Sequence, residues 1–456
     1  MNGSKCLKPS SQPKLVIVPN PSLGPAVPLL VLVLLGLFAA PVLSQENPIA
    51  FRGAKIFTVA GDPIEDGVMV VEKGHITAVG PSASTSIPAG AKVFELAGKT
   101  IMPGLVCTHS HIGSVDLADR SAPIQPELRV LDSINVRDST LQKAQAGGIT
   151  TANVMPGSGL LVGGQTLYLK LRDGNSVEAL LIKDDQEHAA GGLKMANGTN
   201  SRGDPPFPGS RGKSAALVRE RFIQAQEYRD KLARAGDDLE KRPARDLGLE
   251  SLVEALAGTR IVHHHTHRHD DILTVLRLKQ EFGFRVVLHH VSDAWKVADE
   301  IAAAKVPCSI IMIDSPGGKL EARDLDWRNG AVLEQRGVTV AFHTDDPITD
   351  SRWLLRSAAL AVRAGMTRAG ALRGVTLAGA QMLDLDRRIG SLEPGKDADF
   401  VVLSGDPLSV YSHVLETWVE GIKVFDRSDP KDHLWAVGGY GAGTPRALHL
   451  CCFGSE

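Results

Sequence analysis

The stretch "GTRIVHHHTHRHDDILTVLRLKQEFGFRVVLHHVSDAWKVADEIAAAK", residues 258–305, decides the fold. It repeats one pattern twice: an apolar run of strand length ending in histidines, then an amphipathic helix. "VPCSIIMI" follows, and "GVTVAFHTDDP" then leads into "SRWLLRSAALAVRAG". In the helix after Asp270, Ile272, Leu273 and Leu276 read as the apolar stripe, with Arg277, Lys279 and Glu281 supplying charge elsewhere. Strands alternating with helices over short turns imply a parallel sheet with helical crossovers. Residues 103–387 carry this rhythm, which suits a closed (β/α)8 TIM barrel better than an open sheet, although its early strands are hard to place.

Outward from this region the pattern changes. "AFRGAKIFT" and "GVMVVEKGHITAVG" on one side, and "DADFVVLSGD" and "VLETWVEGIKVFDR" on the other, alternate β-branched residues between Gly and Asp turns. That is the signature of antiparallel strands. Residues 46–102 and 388–428 are therefore expected to form one small β-sandwich domain built from both ends of the chain, with 429–456 as a tail. A Pro/Gly loop, "TNSRGDPPFPGSRG" at 199–212, and the charged helix after it interrupt the barrel pattern as a solvated excursion or a wall over its mouth.

The chain has 456 residues, 43% hydrophobic and 22% charged, ordinary proportions for a globular protein. Residues 1–44 stand apart: their only charges are Lys5, Lys8 and Lys14, ahead of the apolar run "LLVLVLLGLFAAPVL" at 29–43. The run is shorter than a spanning helix needs, and Gly36 and Pro41 weaken it. It reads as a signal peptide cut before Gln45, or as an uncleaved N-terminal anchor. The protein is thus expected to be exported, periplasmic or secreted, and to meet a membrane only if the leader stays. Removing the leader moves the formal charge from -2 to -5, and no basic run invites nucleic acid. Cys107 and Cys308 sit in apolar runs, Cys451 and Cys452 are adjacent in the tail, and no C-x-x-C pair exists.

Residues i and i+2 on a strand share a face, so His109 and His111 of "IMPGLVCTHSHIG" point the same way. Later strand ends carry His263, His265 and His267 on one face, then His289 and His290, then His343 with Asp345 and Asp346. Each histidine alone would be a hydrogen-bonded polar residue. Several strand ends together make a site of imidazoles and a carboxylate that suits a divalent metal, zinc first, with iron, manganese or cobalt possible. "GSGLLVGG" at 157–164 lacks the dinucleotide spacing, and neither a G-x-S-x-G elbow nor a phosphate loop is present.

On these motifs, together with "GSLEPGKDADFVVLSGDP", the sequence resembles the amidohydrolase superfamily from Ala50 to Arg427. "GGLKMANG" and "HTHRHDDI" are similar to segments of the imidazolonepropionase-related branch, which includes metal-dependent dipeptidases. The resemblance implies that His109, His111 and Asp345 hold the more buried ion, and that His265 and His290 hold a second when it is present. It further implies that Lys194 adds carbon dioxide to become a bridging carbamate. Thr199 departs from that branch, which often carries a glutamate soon after the lysine, so one ion or two stays open. His263 and His289 are expected to pack or to orient neighbours, and His343 to support a ligand. His267 and Arg268 face the rim as substrate contacts, where Arg268 either holds a carboxylate or pairs with Asp270 or Asp271.

The implied activity is hydrolysis of a C–N bond in an amide, cyclic amide or peptide of a small-molecule substrate, with Asp345 as general base and then acid. Two rivals remain: a deaminase of the same superfamily, and a non-catalytic exported metal- or solute-binding protein. Assembly as a homo-oligomer is compatible with the sequence.

Overall fold

In the computed structural model, which describes residues 47–115, 119–312 and 319–438, Gly and Asp turns divide the N-terminal part into five strands. They are β1 (Ile49–Ile56), β2 (Ile64–Glu72), β3 (His75–Pro81), β4 (Lys92–Glu95) and β5 (Thr100–Pro103). The central region adds β6 (Leu105–Ser110), β7 (Ile149–Val154), β8 (Val162–Gln165), β9 (Leu167–Lys170) and β10 (Leu193–Ala196). It continues with β11 (Val262–Thr266), β12 (Val286–His290), β13 (Cys308–Ile310) and β14 (Val340–Phe342). Three more follow, β15 (Phe400–Leu403), β16 (Val414–Val419) and β17 (Ile422–Asp426). The leader of residues 1–44 and the tail cysteines Cys451 and Cys452 lie outside the described residues. No described helix is long and apolar enough to cross a membrane.

Both flanking parts of the chain contribute to one eight-stranded sheet, ordered β17-β16-β15-β5-β1-β2-β3 with β4 beside β1. They meet where β5 runs antiparallel to β15, Thr100 opposite Leu403. The inward residues of the two parts share a core: the Phe51 ring lies 4.8 Å from Phe400 and 5.1 Å from Trp418, edge to face.

The site is built on two other sheets. In the six-stranded one, β10 to β14 are parallel neighbours in chain order and β8 is antiparallel to β10. In the three-stranded one, β6 and β7 are parallel and β9 is antiparallel to β7. Helices His269–Phe282, Ala298–Ala303, Asn329–Gln335 and Leu354–Arg363 follow β11, β12, β13 and β14, the crossovers that parallel strands require.

Helix His269–Phe282 corrects the stripe read from the sequence. Its buried apolar face is Ile272, Val275, Leu278 and Phe282, whereas Leu273 and Leu276 are only partly covered. A period of 3.6 places 272, 275, 278 and 282 along one line, and the denser Leu273 and Leu276 flank it. The helix ends at Gly283, whose φ of +77° favours glycine. The excursion is not wholly solvated. Helix Arg211–Ala235 buries Val218, Phe222 and Ala225, and the Phe222 ring stacks 5.1 Å from Phe282.

One buried ion cluster ties β9 to the loop before β15. The ammonium of Lys170 lies 2.7 Å from carboxylates of both Asp397 and Asp399, all three side chains almost wholly buried. Removing one member of such a cluster strands the others without solvent. Lys170→Met is therefore expected to cost about 3–5 kcal/mol, read as a lowered urea midpoint. Burial first, and then the neighbouring Asp397 charge, push the Asp399 carboxyl up, so in the variant it should protonate rather than stay charged. A midpoint within error of the unsubstituted chain would show that the cluster contributes nothing.

Candidate metal centre

The strand ends converge. His109, at the end of β6, is fully buried, and its Nε2 lies 3.1 Å from Asp345 Oδ1; His111 Nε2 lies 3.0 Å from the same oxygen. Asp345 follows β14 and its backbone N–H donates to the carbonyl of His109, which fixes the end of β14 against the end of β6. The motif "FHTDD" offers two aspartates, and the fold separates them. Asp346 turns away to accept from the backbone N–H and hydroxyl of Ser351, at 2.8 and 2.7 Å.

A second cluster lies alongside, made of His265 from β11, His290 from β12 and His267 just after β11. In each cluster, one ligand atom per residue lies within 4.8 Å of the others. His267 thus joins the histidines rather than standing at a rim. A third group, His109, His289 and His343, meets the same limit and shares His109 with the first.

These donors have the chemistry of metal ligands. Burial drives eight imidazoles toward the neutral, ligating form: His263, His264, His267 and His343 fall to about 3, and His109, His265, His289 and His290 drop well below their usual value. Burial opposes charge on Asp345 as well, but the His109 and His290 imidazoles and the hydrogen bonds from His109 and His111 hold it well below the carboxylate range. The buried His109 Nδ1, His265 Nε2, His289 Nδ1 and His290 Nε2 find no hydrogen-bond partner among the described residues. Orphaned nitrogens this deep are costly unless something binds them. The residues fit a metal.

Further groups hold the imidazoles in place. Ser158 Oγ lies 2.9 Å from His265 Nδ1 and leaves Nε2 for a ligand. His343 Nε2 contacts His290 Nδ1 at 3.3 Å, and its own Nδ1 is held by Ser309, in turn bonded to Thr108. His111 Nδ1 meets the Met155 carbonyl at 2.7 Å. Such partners set the tautomer and aim of a ligating histidine. His263 bridges Tyr168 and His289, both at 2.9 Å. Ser158, Ser309 and Tyr168 stand in no motif; only the Gly-rich run around Ser158 drew notice in the sequence.

Lys194, in β10, is fully buried with its Nζ 3.1 Å from His109 Nε2 and 3.1 Å from Met155 Sδ. Burial lowers its ammonium to about 7, against the pull of Asp345. Gly163 and Gly164 of β8 lie beside it, and only Gly164 is required to be glycine. A Cβ at Gly163 would sit 3.6 Å from Lys194 Cγ, and Gly164, at φ +114°, would meet the Leu128 carbonyl at 2.5 Å. Arg268 does not reach the clusters as a free cation. It forms a forked pair with Asp270, at 3.0 and 2.7 Å, while Asp271 pairs with Arg211.

The amidohydrolase family model matches residues 230–425. A solved amidohydrolase from Thermotoga maritima MSB8 is 33% identical with a TM-score of 0.78, covering 83% of this chain and 100% of that one. The chain belongs to the amidohydrolase family. It is also 27% identical to amidohydrolase tasK of Hapsidospora irregularis, covering 83% of this chain and 43% of that protein, so it spans less than half of that relative's length. An imidazolonepropionase of Pseudomonas fluorescens is 27% identical, covering 79% of this chain and 92% of that one. In this amidohydrolase the two outer clusters, His109, His111, Asp345 and His265, His267, His290, could each hold a metal ion.

Proposed function

We propose that the chain is a metal-dependent hydrolase of a C–N bond in an amide, cyclic amide or peptide. The observation that carries this reading is the meeting of His109 and His111 at one oxygen of Asp345, beside buried, unpartnered nitrogens of His265 and His290. His109, His111 and Asp345 would hold one divalent ion, with zinc best suited to the donor set, and His265, His290 and His267 a second. When bound there, a divalent ion would lower the pKa of water and polarise the scissile carbonyl. Asp345, ionised at neutral pH, then takes the proton of the attacking water and delivers it to the leaving nitrogen. Lys194, whose Nζ lies 3.1 Å from His109 Nε2, is the residue that would carry a carbamate between the two clusters.

The same reading assigns the two smaller sheets to one (β/α)8 barrel spanning 103–387, supported by the parallel order of β10–β14 and the bond from Asp345 to His109. The eight-stranded sheet supports a composite β domain from 46–102 and 388–428. The leader supports export. A deaminase is the weaker reading, because the acids nearest His267 in sequence, Asp270 and Asp271, are held by Arg268 and Arg211.

The test is metal analysis of the purified chain together with hydrolysis of dipeptides, N-acyl amino acids and cyclic ureas. Bound metal with chelator-sensitive hydrolysis is expected. Metal without turnover of any class would instead favour the non-catalytic binding protein, and absence of metal uptake would remove both readings.

A further inference from the structure

In the second cluster, both nitrogens of His267 are already engaged. Its Nδ1 lies 2.8 Å from Ser292 Oγ, which leaves Nε2, and Nε2 lies 2.9 Å from the ammonium of Lys319. A neutral imidazole has one lone pair. An ammonium, which carries donors and no acceptor, needs that lone pair on Nε2, and so does a metal ion arriving there. His265 Nε2 and His290 Nε2, by contrast, are buried and unclaimed among the described residues. The cluster thus offers an ion two free nitrogens and a third that must be taken from a lysine.

A second place for that lysine is built beside the first. Lys319 precedes the short helical turn Leu320–Ala322, and Glu321, within the turn, is buried. Its Oε2 accepts from the backbone N–H of Thr199 at 2.8 Å and lies 3.7 Å from Arg211, contacts that fix the carboxylate. Its Oε1 has no hydrogen-bond partner among the described residues and lies 3.6 Å from Lys319 Nζ. A buried carboxylate oxygen without a donor is costly, and a shift of the ammonium by about 1 Å would supply one.

We infer that Lys319 is a movable competitor for the second ion: it holds His267 Nε2 until a divalent ion binds His265, His267 and His290, and then passes to Glu321 Oε1. The inference rests on the two-ion form of the hydrolase reading. Two physical terms oppose the ion while the lysine stays, the loss of one ligand nitrogen and the repulsion between an ammonium and a divalent cation. Both are relieved by the same small movement. The second ion is therefore held more weakly than three imidazoles alone would hold it, and Lys319 sets how much free metal fills both clusters.

The test is stepwise zinc titration of the full chain against a chromophoric chelator, at fixed bicarbonate so that the state of Lys194 is constant. Lys319→Met should tighten the second ion by about 10-fold or more, the equivalent of one charge-assisted hydrogen bond, and leave the first within about 2-fold. Glu321→Gln should weaken the second ion by about 3-fold or more, since the displaced ammonium loses its charged partner. A carboxylate attracts any cation nearby, so the variants are also combined: the Glu321→Gln effect should vanish beside Lys319→Met, where no lysine is left to receive. A second ion unchanged or weaker in Lys319→Met, uptake of fewer than two ions by that variant, no effect of Glu321→Gln, or an effect that persists in the combination would overturn the inference. Should Lys319→Met fail to fold, Lys319→Ala decides by the same criteria. Hydrolysis is scored separately: these shifts without turnover of amides or peptides would sink the hydrolase reading and leave the competition by Lys319 standing.

Discussion

Asp345→Asn is expected to lower kcat by about 10³-fold while the chain keeps its metal and its fold. The reasoning is local. Asparagine has the shape of aspartate and still offers one oxygen to His109 and His111, which lie 3.1 and 3.0 Å from the present carboxylate. It also tolerates the backbone here, where φ is +51°, a left-handed conformation that asparagine adopts more readily than most residues. What it cannot do is carry a proton between water and a leaving nitrogen. The loss should therefore fall in kcat, with metal per chain and melting temperature close to the unsubstituted values. Activity within a few-fold of the starting enzyme would remove Asp345 from the proton path. Loss of metal would instead make it chiefly a ligand.

Lys194 gives the second large effect. Lys194→Met should cut the metal content from two ions to one and reduce kcat by about 10²-fold or more, because methionine fills the space without offering an oxygen to share. The surroundings favour the modification: the side chain is fully buried, its ammonium is lowered to about 7, and Nζ lies 3.1 Å from His109 Nε2. A neutral amine is the form that adds carbon dioxide. Metal reconstitution in carbon-dioxide-free buffer should stall at one ion and resume with bicarbonate. A chain that takes up two ions with no added mass on Lys194 would rule out the carbamate.

The regular part of this molecule is legible because it obeys a period. The strands at 262–266 and 286–290 and the helix after them follow from apolar spacing, and the H-x-H pair places itself by strand alternation. Depth and direction at strand ends are not encoded that way. His267 lies one residue past the end of β11, so alternation gives it the face of His263 and His265 but not its depth, and the turn of the chain brings its ring 5.0 Å from that of His290. Asp345 and Asp346 are neighbours in sequence, and only the positive φ at 345 and the Ser351 contact decide which one enters the site. Ser158, Ser309 and Lys319 act on histidines that are 107, 34 and 52 positions away, distances at which one sequence carries no signal.

The pairing of β5 with β15 joins segments about 300 residues apart. A ribosome needs on the order of 15 to 60 seconds to cover that interval. Throughout it, Phe51 waits for Phe400 and Trp418, and the open edge of β5 stays available to any other extended chain. Newborn molecules should thus depend on a chaperone, or on delayed release into their final compartment, more than their finished stability would suggest.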